Sequence, residues 1–181
     1  KLCRQEGIPL SADTGIKDLE RWVDEESSRF EPSPRLGTVT DQGIFDDYVG
    51  FHTERIKPGP RSLKIIADSG NGMTGAYEFK ILKQLFGDTT GMFLDLDGNF
   101  PNHEANPLVD KNLVDLRKEV LARKADVGIA FDGDGDRAAF LDELGQAVQG
   151  DLVLALLAKS LLEKHPGKAV LYDLRSSWAV K

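Results

Sequence analysis

Residues 131–137 read FDGDGDR: three aspartates, Asp132, Asp134 and Asp136, alternate with glycine behind an apolar run and ahead of Arg137. Two unit charges about 5 Å apart repel by about 3 kcal/mol at an effective dielectric of roughly 20, and three aspartates give three such pairs. In extended backbone alternate residues project to one side. The three carboxylates can therefore converge on one cation, while Gly133 and Gly135 let the chain curl around it. Ligation by oxygen alone selects a hard ion, Mg²⁺ or Ca²⁺, and three ligands leave the open positions that Mg²⁺ shares with a phosphate. Arg137, always cationic and forked, suits the grip of that phosphate. The expected metal ligands are Asp132, Asp134 and Asp136, the expected ion is Mg²⁺, and Arg137 is the expected phosphate-binding residue.

Other constellations compete with this one. With Glu143 added, the aspartates fall at positions 1, 3, 5 and 12 of a helix–loop–helix calcium loop. Position 6, which needs glycine, is Arg137, and the flanks VGIAF and AAFLD read as strands. FLDLDGNF (93–100) offers a D-x-D pair as in haloacid-dehalogenase-type phosphatases, with Asp95 as nucleophile and Asp97 as general acid. Little more than one βαβ unit separates that pair from DGDGD. Gly70, Gly72 and Gly75 formally match the dinucleotide fingerprint G-x-G-x-x-G between a strand and a helix, but a tight turn packed on glycine is the plainer expectation. His103 and Glu104 lie in PNHEANP (101–107), where two prolines and two asparagines predict a rigid extended loop with a hydrogen-bonded histidine.

The elements that must hold these residues follow from periodicity. Asp13-Thr14-Gly15 opens a helix on which Ile16, Leu19 and Val23 recur at helical spacing, and 31–43 (EPSPRLGTVTDQG) reads as a linker. A short helix is expected over 44–55. Strands are expected at 63–68, 91–96, 126–132, 138–143 and 169–174. Helices are expected at about 73–86, 111–123 and 150–165, the last apolar nearly all round. Strands alternating with helices of this length predict an α/β layered domain on a mainly parallel, mixed sheet.

Composition narrows the function classes. A net charge of −7 over 181 residues excludes a general nucleic-acid or anionic-membrane footprint. The longest apolar run, 152–158, is far short of the roughly 18 residues of a membrane span. The single Cys3 rules out an internal disulfide framework and fits a reducing, cytoplasmic setting.

Taken together, DGDGDR (132–137), ADSGNGMTG (67–75), DGNFPNHEANP (97–107), Gly150-Asp151 before a long helix, and PLSADTGI (9–16) resemble the α-D-phosphohexomutases, specifically their bacterial phosphomannomutase/phosphoglucomutase branch. The resemblance implies a four-domain enzyme that interconverts hexose 1- and 6-phosphates through a phosphoserine and a bisphosphorylated sugar, acting as a monomer. It also implies that Asp132, Asp134 and Asp136 hold Mg²⁺ and that Arg137 steadies the phosphoryl group. The family's serine loop, T-[AS]-S-H-N-P, is not in these residues; Ser11, Ser69 and Ser176 stand in other contexts. Where the family has NHHP, this chain has Asn102-His103-Glu104-Ala105. The chain thus reads as an excerpt of a longer protein: 1–41 as the remnant of a first domain and linker, 42–174 as the metal-binding second domain, and 175–181 as the start of a connection to a third. Its catalytic residue is expected outside it, so the excerpt alone is expected to be inactive.

Overall fold

The computed structural model describes residues 2–26, 35 and 37–180, in two compact units, Lys1–Gln42 and Gly43–Lys181. In the first unit, a single helical turn at Ala12–Thr14 leads into α1 (Ile16–Glu26). The Ser11 amide donates to the Thr14 hydroxyl at 2.8 Å, a capping box that fixes where the helical segment begins. The expected linker residues 31–34 and 36 lie outside the described residues, and 37–44 carry neither helix nor strand.

The second unit begins with α2 (Phe45–Arg55) and then alternates: β1 (Ile65–Asp68), α3 (Glu78–Phe86), β2 (Thr89–Met92), α4 (Val114–Arg123), β3 (Val127–Phe131), β4 (Ala138–Leu141), β5 (Ala147–Val148) and α5 (Gly150–Lys164). The sheet order is β2-β1-β3-β4-β5. β1 pairs parallel with β2 and with β3, and the β3–β4 and β4–β5 pairings are antiparallel. The sheet is therefore mixed, as expected, and its antiparallel half includes β5, which sequence periodicity did not predict. The β1–α3–β2 and β2–α4–β3 crossovers run in opposite directions along the sheet, and right-handed connections then place α3 and α4 on opposite faces. β1 is thus the switch point, and the loops after β1 and β3 emerge side by side at the carboxyl edge, where open α/β sheets bind ligands.

The α4 face carries the core. Leu113, Leu116 and Val120, spaced along one helical face, pack against Ile66, Ala130 and Leu141. Gly128 admits them: a Cβ there would meet Val120 Cγ2 at 2.8 Å. Leu116 is fully buried, so Leu116→Ala is expected to cost about 2–5 kcal/mol. Urea unfolding measures this, and a loss below about 1 kcal/mol would mean that α4 is not seated as described.

Three expectations are corrected at element ends. The second strand is 89–92, not 91–96: Phe93 adopts φ +50° and turns the chain out of the ladder. The helix expected from 73 begins at Glu78, because Met73–Gly75 forms a single tighter turn first. Residues 169–174 form no strand; Leu171 and Leu174 are almost fully exposed, and no described strand pairs with them. A strand without a pairing partner leaves its backbone groups to water and has nothing to hold it extended. α5, apolar around its circumference, has no buried residue.

Candidate metal centre

β3 ends at Phe131, and the next six residues form the loop that the sequence singled out. Asp132, Asp134 and Asp136 each offer a carboxylate oxygen, all within 4.8 Å of one another. Among the described residues this is the acidic cluster able to share an ion; Asp95, Asp97 and Glu143 are not part of it. Asp132 is buried, whereas Asp134 and Asp136 are exposed. The loop closes on itself: the Gly135 amide donates to the Asp132 carbonyl at 3.1 Å, and the Asp132 amide to the Arg137 carbonyl at 3.2 Å. Gly135 sits at φ +74°, and a Cβ there would meet Thr74 Cγ2 at 2.7 Å. Glycine is required at that position twice over, by backbone conformation and by space.

Arg137 stands beside the triad. Its backbone amide donates to Asp132 Oδ1 at 3.0 Å and its Nε to Oδ2 at 2.6 Å, while the guanidinium lies 3.8 Å from Asp136. Burial pushes the Asp132 carboxyl up, but the Arg137 amide and guanidinium together outweigh it and hold the group below its ordinary value. A depressed carboxylate stabilises the fold above the ordinary carboxylate range, and the contribution is lost as pH falls through the lowered value. Asp132→Asn is therefore expected to flatten the acid limb of the thermal-unfolding profile below about pH 4. An unchanged acid limb would place the acid-labile groups elsewhere.

The glycine-rich turn after β1 supports this loop from below. The amides of residues 69–73 are committed: Ser69 N to Met92 O, Gly70 N to Asp68 Oδ1, Asn71 N to Phe93 O, Gly72 N to Ser69 O, and Met73 N to Gly133 O at 3.0 Å. They are not free for a phosphate, and α3 starts well beyond the last glycine of the motif. The formal dinucleotide fingerprint is thus a packing turn. A Cβ on Gly72 would meet the Gly133 carbonyl oxygen at 2.7 Å, and one on Gly75 would run into the Leu94 carbonyl oxygen.

The 97–107 loop forms the wall behind. Asp97 Oδ1 accepts from the amide and side chain of Asn99, both at 2.9 Å, so this carboxylate organises a turn. A Cβ on Gly133 would meet Phe100 Cζ at 3.3 Å, and one on Gly70 would meet the Ala105 Cβ at 3.2 Å. His103 is a hydrogen-bonded loop residue, as expected: Nε2 lies 3.0 Å from Asp68 Oδ2 and Nδ1 lies 2.9 Å from the Glu104 carbonyl. Asp68, 1% exposed at the end of β1, is the site-adjacent residue that sequence reasoning missed. Its only signal was a carboxylate closing the otherwise apolar run IIAD. Beside Asp134 lies a cavity of about 310 Å³ lined by Phe45, Tyr48, Met73 and Tyr77 among others.

A hard divalent cation fits this donor set: three carboxylates of one loop, converged, with one already buried and oriented by two hydrogen bonds.

Residues 46–145 match the model of the phosphoglucomutase/phosphomannomutase α/β/α domain II. A phosphomannomutase of Salmonella montevideo is 37% identical over 189 residues, covering 98% of this chain and 40% of that protein. A phosphoglucomutase of Neisseria meningitidis is 37% identical over 166 residues, covering 92% of this chain and 35% of its own length. Among solved structures, a phosphoglucomutase/phosphomannomutase family protein from Burkholderia thailandensis superposes with a TM-score of 0.67 at 36% identity, over 82% of this chain and 31% of that one. The chain thus spans about 40% or less of the length of these relatives. Among the described residues no helix is long and apolar enough to cross a membrane. The triad, its glycine-packed supports and these matches agree: the chain belongs to the phosphoglucomutase/phosphomannomutase family.

Proposed function

We propose that this chain is the magnesium-binding portion of a phosphohexomutase that interconverts the 1- and 6-phosphates of mannose, glucose or both. The reading rests above all on the convergence of Asp132, Asp134 and Asp136 beside Arg137. The two relatives described above are named phosphomannomutase and phosphoglucomutase. In this reading the three aspartates hold Mg²⁺, which when bound neutralises charge on a transferring phosphoryl group. Asp132 is held rigid by the Arg137 amide, so one ligand is pre-oriented. Arg137, half-exposed at the rim, presents its remaining guanidinium N–H groups to phosphate oxygens. Residues 1–41 then belong to a first domain, 42–174 form the second, and 175–181 lead toward a third. The phosphoserine that donates and accepts the phosphoryl group lies outside these 181 residues, the intermediate is a bisphosphorylated sugar, and the protein works as a cytoplasmic monomer.

Neither alternative gains support. Asp97 is tied into a turn and β2 ends three residues before Asp95, unlike a nucleophile at a strand end. Glu143 belongs to the β4–β5 turn and is outside the acidic cluster. The test is ³¹P NMR of hexose 1-phosphate with Mg²⁺. The 181-residue chain is expected to give no 6-phosphate, whereas a longer chain including the serine loop gives it and loses it on Asp134→Ala. Phosphate release by the 181-residue chain, or a longer chain indifferent to Asp134→Ala, overturns the proposal.

A further inference from the structure

Asp68 and His103 are 35 residues apart in sequence, yet they form a buried pair behind the metal loop. The His103 side chain is 14% exposed and that of Asp68 is 1% exposed. Both ring nitrogens face oxygens. The Glu104 carbonyl can only accept, so Nδ1 carries a proton and donates it. Nε2 lies 3.0 Å from Asp68 Oδ2, a distance that requires a proton between the two atoms, on either the ring or the carboxyl. The other carboxylate oxygen already accepts the Gly70 amide at 2.8 Å. The pair thus holds one proton beyond the Nδ1 proton. Without it, a bare Nε2 lone pair would face a buried carboxylate.

What the pair fastens is the wall of the site. His103 anchors the 97–107 loop, whose Phe100 and Ala105 pack on Gly133, between two of the aspartates. Through Asp68 and the Gly70 amide the same pair reaches the turn whose Met73 amide holds the Gly133 carbonyl. We infer that Asp68 and His103 are positioning residues that hold the metal loop in its binding geometry through one shared proton, so that metal affinity weakens when alkaline pH removes it. The inference rests on the metal reading above. The charged group acting on the pair from outside its own loop is Asp115 of α4, whose carboxylate accepts a hydrogen bond from Lys118 at 2.8 Å. Asp115 favours retention of the proton. Phe93 packs edge-on against the ring at 5.4 Å and shields it from water. Burial holds the Asp68 carboxyl above its ordinary value against the Gly70 amide and His103.

The expected trend opposes that of a bare carboxylate site, whose metal affinity rises or levels off as protons leave the ligands. Mg²⁺ titration of the 181-residue chain by calorimetry is expected to show affinity falling roughly tenfold between about pH 6 and pH 9, the scale of an outer-shell partner. In Asp68→Asn, the amide oxygen accepts from Gly70 and the amide nitrogen donates to Nε2 at every pH. This variant is expected to keep the pH 6 affinity throughout. Ring ¹⁵N shifts of His103 in the metal-free chain should show Nδ1 as a hydrogen-bond donor in wild type. In Asp68→Asn, Nε2 should remain an acceptor and Nδ1 a donor. Asp68→Ala removes the anchor and is expected to bind weakly at both pH values. A flat wild-type profile, or an Asp68→Asn profile that falls like wild type, overturns the inference. Absence of Mg²⁺ binding at every pH would instead overturn the metal reading on which it rests.

Discussion

Gly72→Ala is expected to weaken Mg²⁺ binding by roughly tenfold or more, although residue 72 contributes no ligand and makes no hydrogen bond through a side chain. The added methyl would lie 2.7 Å from the Gly133 carbonyl oxygen and 2.9 Å from its Cα. Both are backbone atoms of the metal loop and cannot rotate aside. Relief must come from moving the loop, which separates Asp132 from Asp134, or from moving the turn, which breaks the Met73–Gly133 hydrogen bond. Overpacking of this kind costs about 1–3 kcal/mol of stability, so both the urea midpoint and the metal affinity should drop. Gly50→Ala is the matched control: Gly50 lies within α2 with nothing within 4 Å of an added Cβ. There alanine is expected to stabilise by about 0.5–1 kcal/mol, because it removes glycine's unfolded freedom. If Gly72→Ala behaved like Gly50→Ala, the close contact between the two loops would be wrong.

The second large effect separates ligands that look alike in sequence. Asp132→Ala is expected to abolish measurable Mg²⁺ binding and also to destabilise the fold by about 2 kcal/mol. Its carboxylate is buried and accepts from both the amide and the guanidinium of Arg137. Removal leaves that amide unpaired next to the sheet. Asp134→Ala should lose metal to a similar degree, yet leave stability within about 0.5 kcal/mol, because that side chain is exposed. Relieving the repulsion between neighbouring carboxylates could even raise the melting temperature without metal. Equal destabilisation by the two substitutions would contradict the placement of Asp132 in the loop interior.

The contrast between these residues shows what the sequence could convey. Alternation of aspartate with glycine behind an apolar run sufficed to find the triad, because side-chain direction in extended chain depends only on parity. The α4 stripe was legible for a similar reason: Leu113, Leu116 and Val120 lie three and four residues apart, the spacing of one helical face. Which aspartate is buried depends on Arg137 folding back across five residues, and periodicity carries no such information. The end of β2 at Met92 was illegible because FLDL continues to look like strand. Its pairing stops because β1 is only four residues long and Phe93 turns away. β5 is two residues long, too short for any pattern. The Asp68–His103 pair joins β1 to a loop two elements later, so it became visible only once the parallel crossover had been built. The run at 169–174 shows the opposite error, an apolar pattern with no partner strand to make it one.

The most direct test follows the three aspartate carboxyl carbons by ¹³C NMR while Mg²⁺ is added to the 181-residue chain. If one ion lies among them, the resonances of Asp132, Asp134 and Asp136 move together along a single saturable curve, and Asp134→Ala abolishes the response of the other two. Carboxyls that stay put, or that shift independently and without saturation in excess Mg²⁺, would show that the loop does not gather a cation.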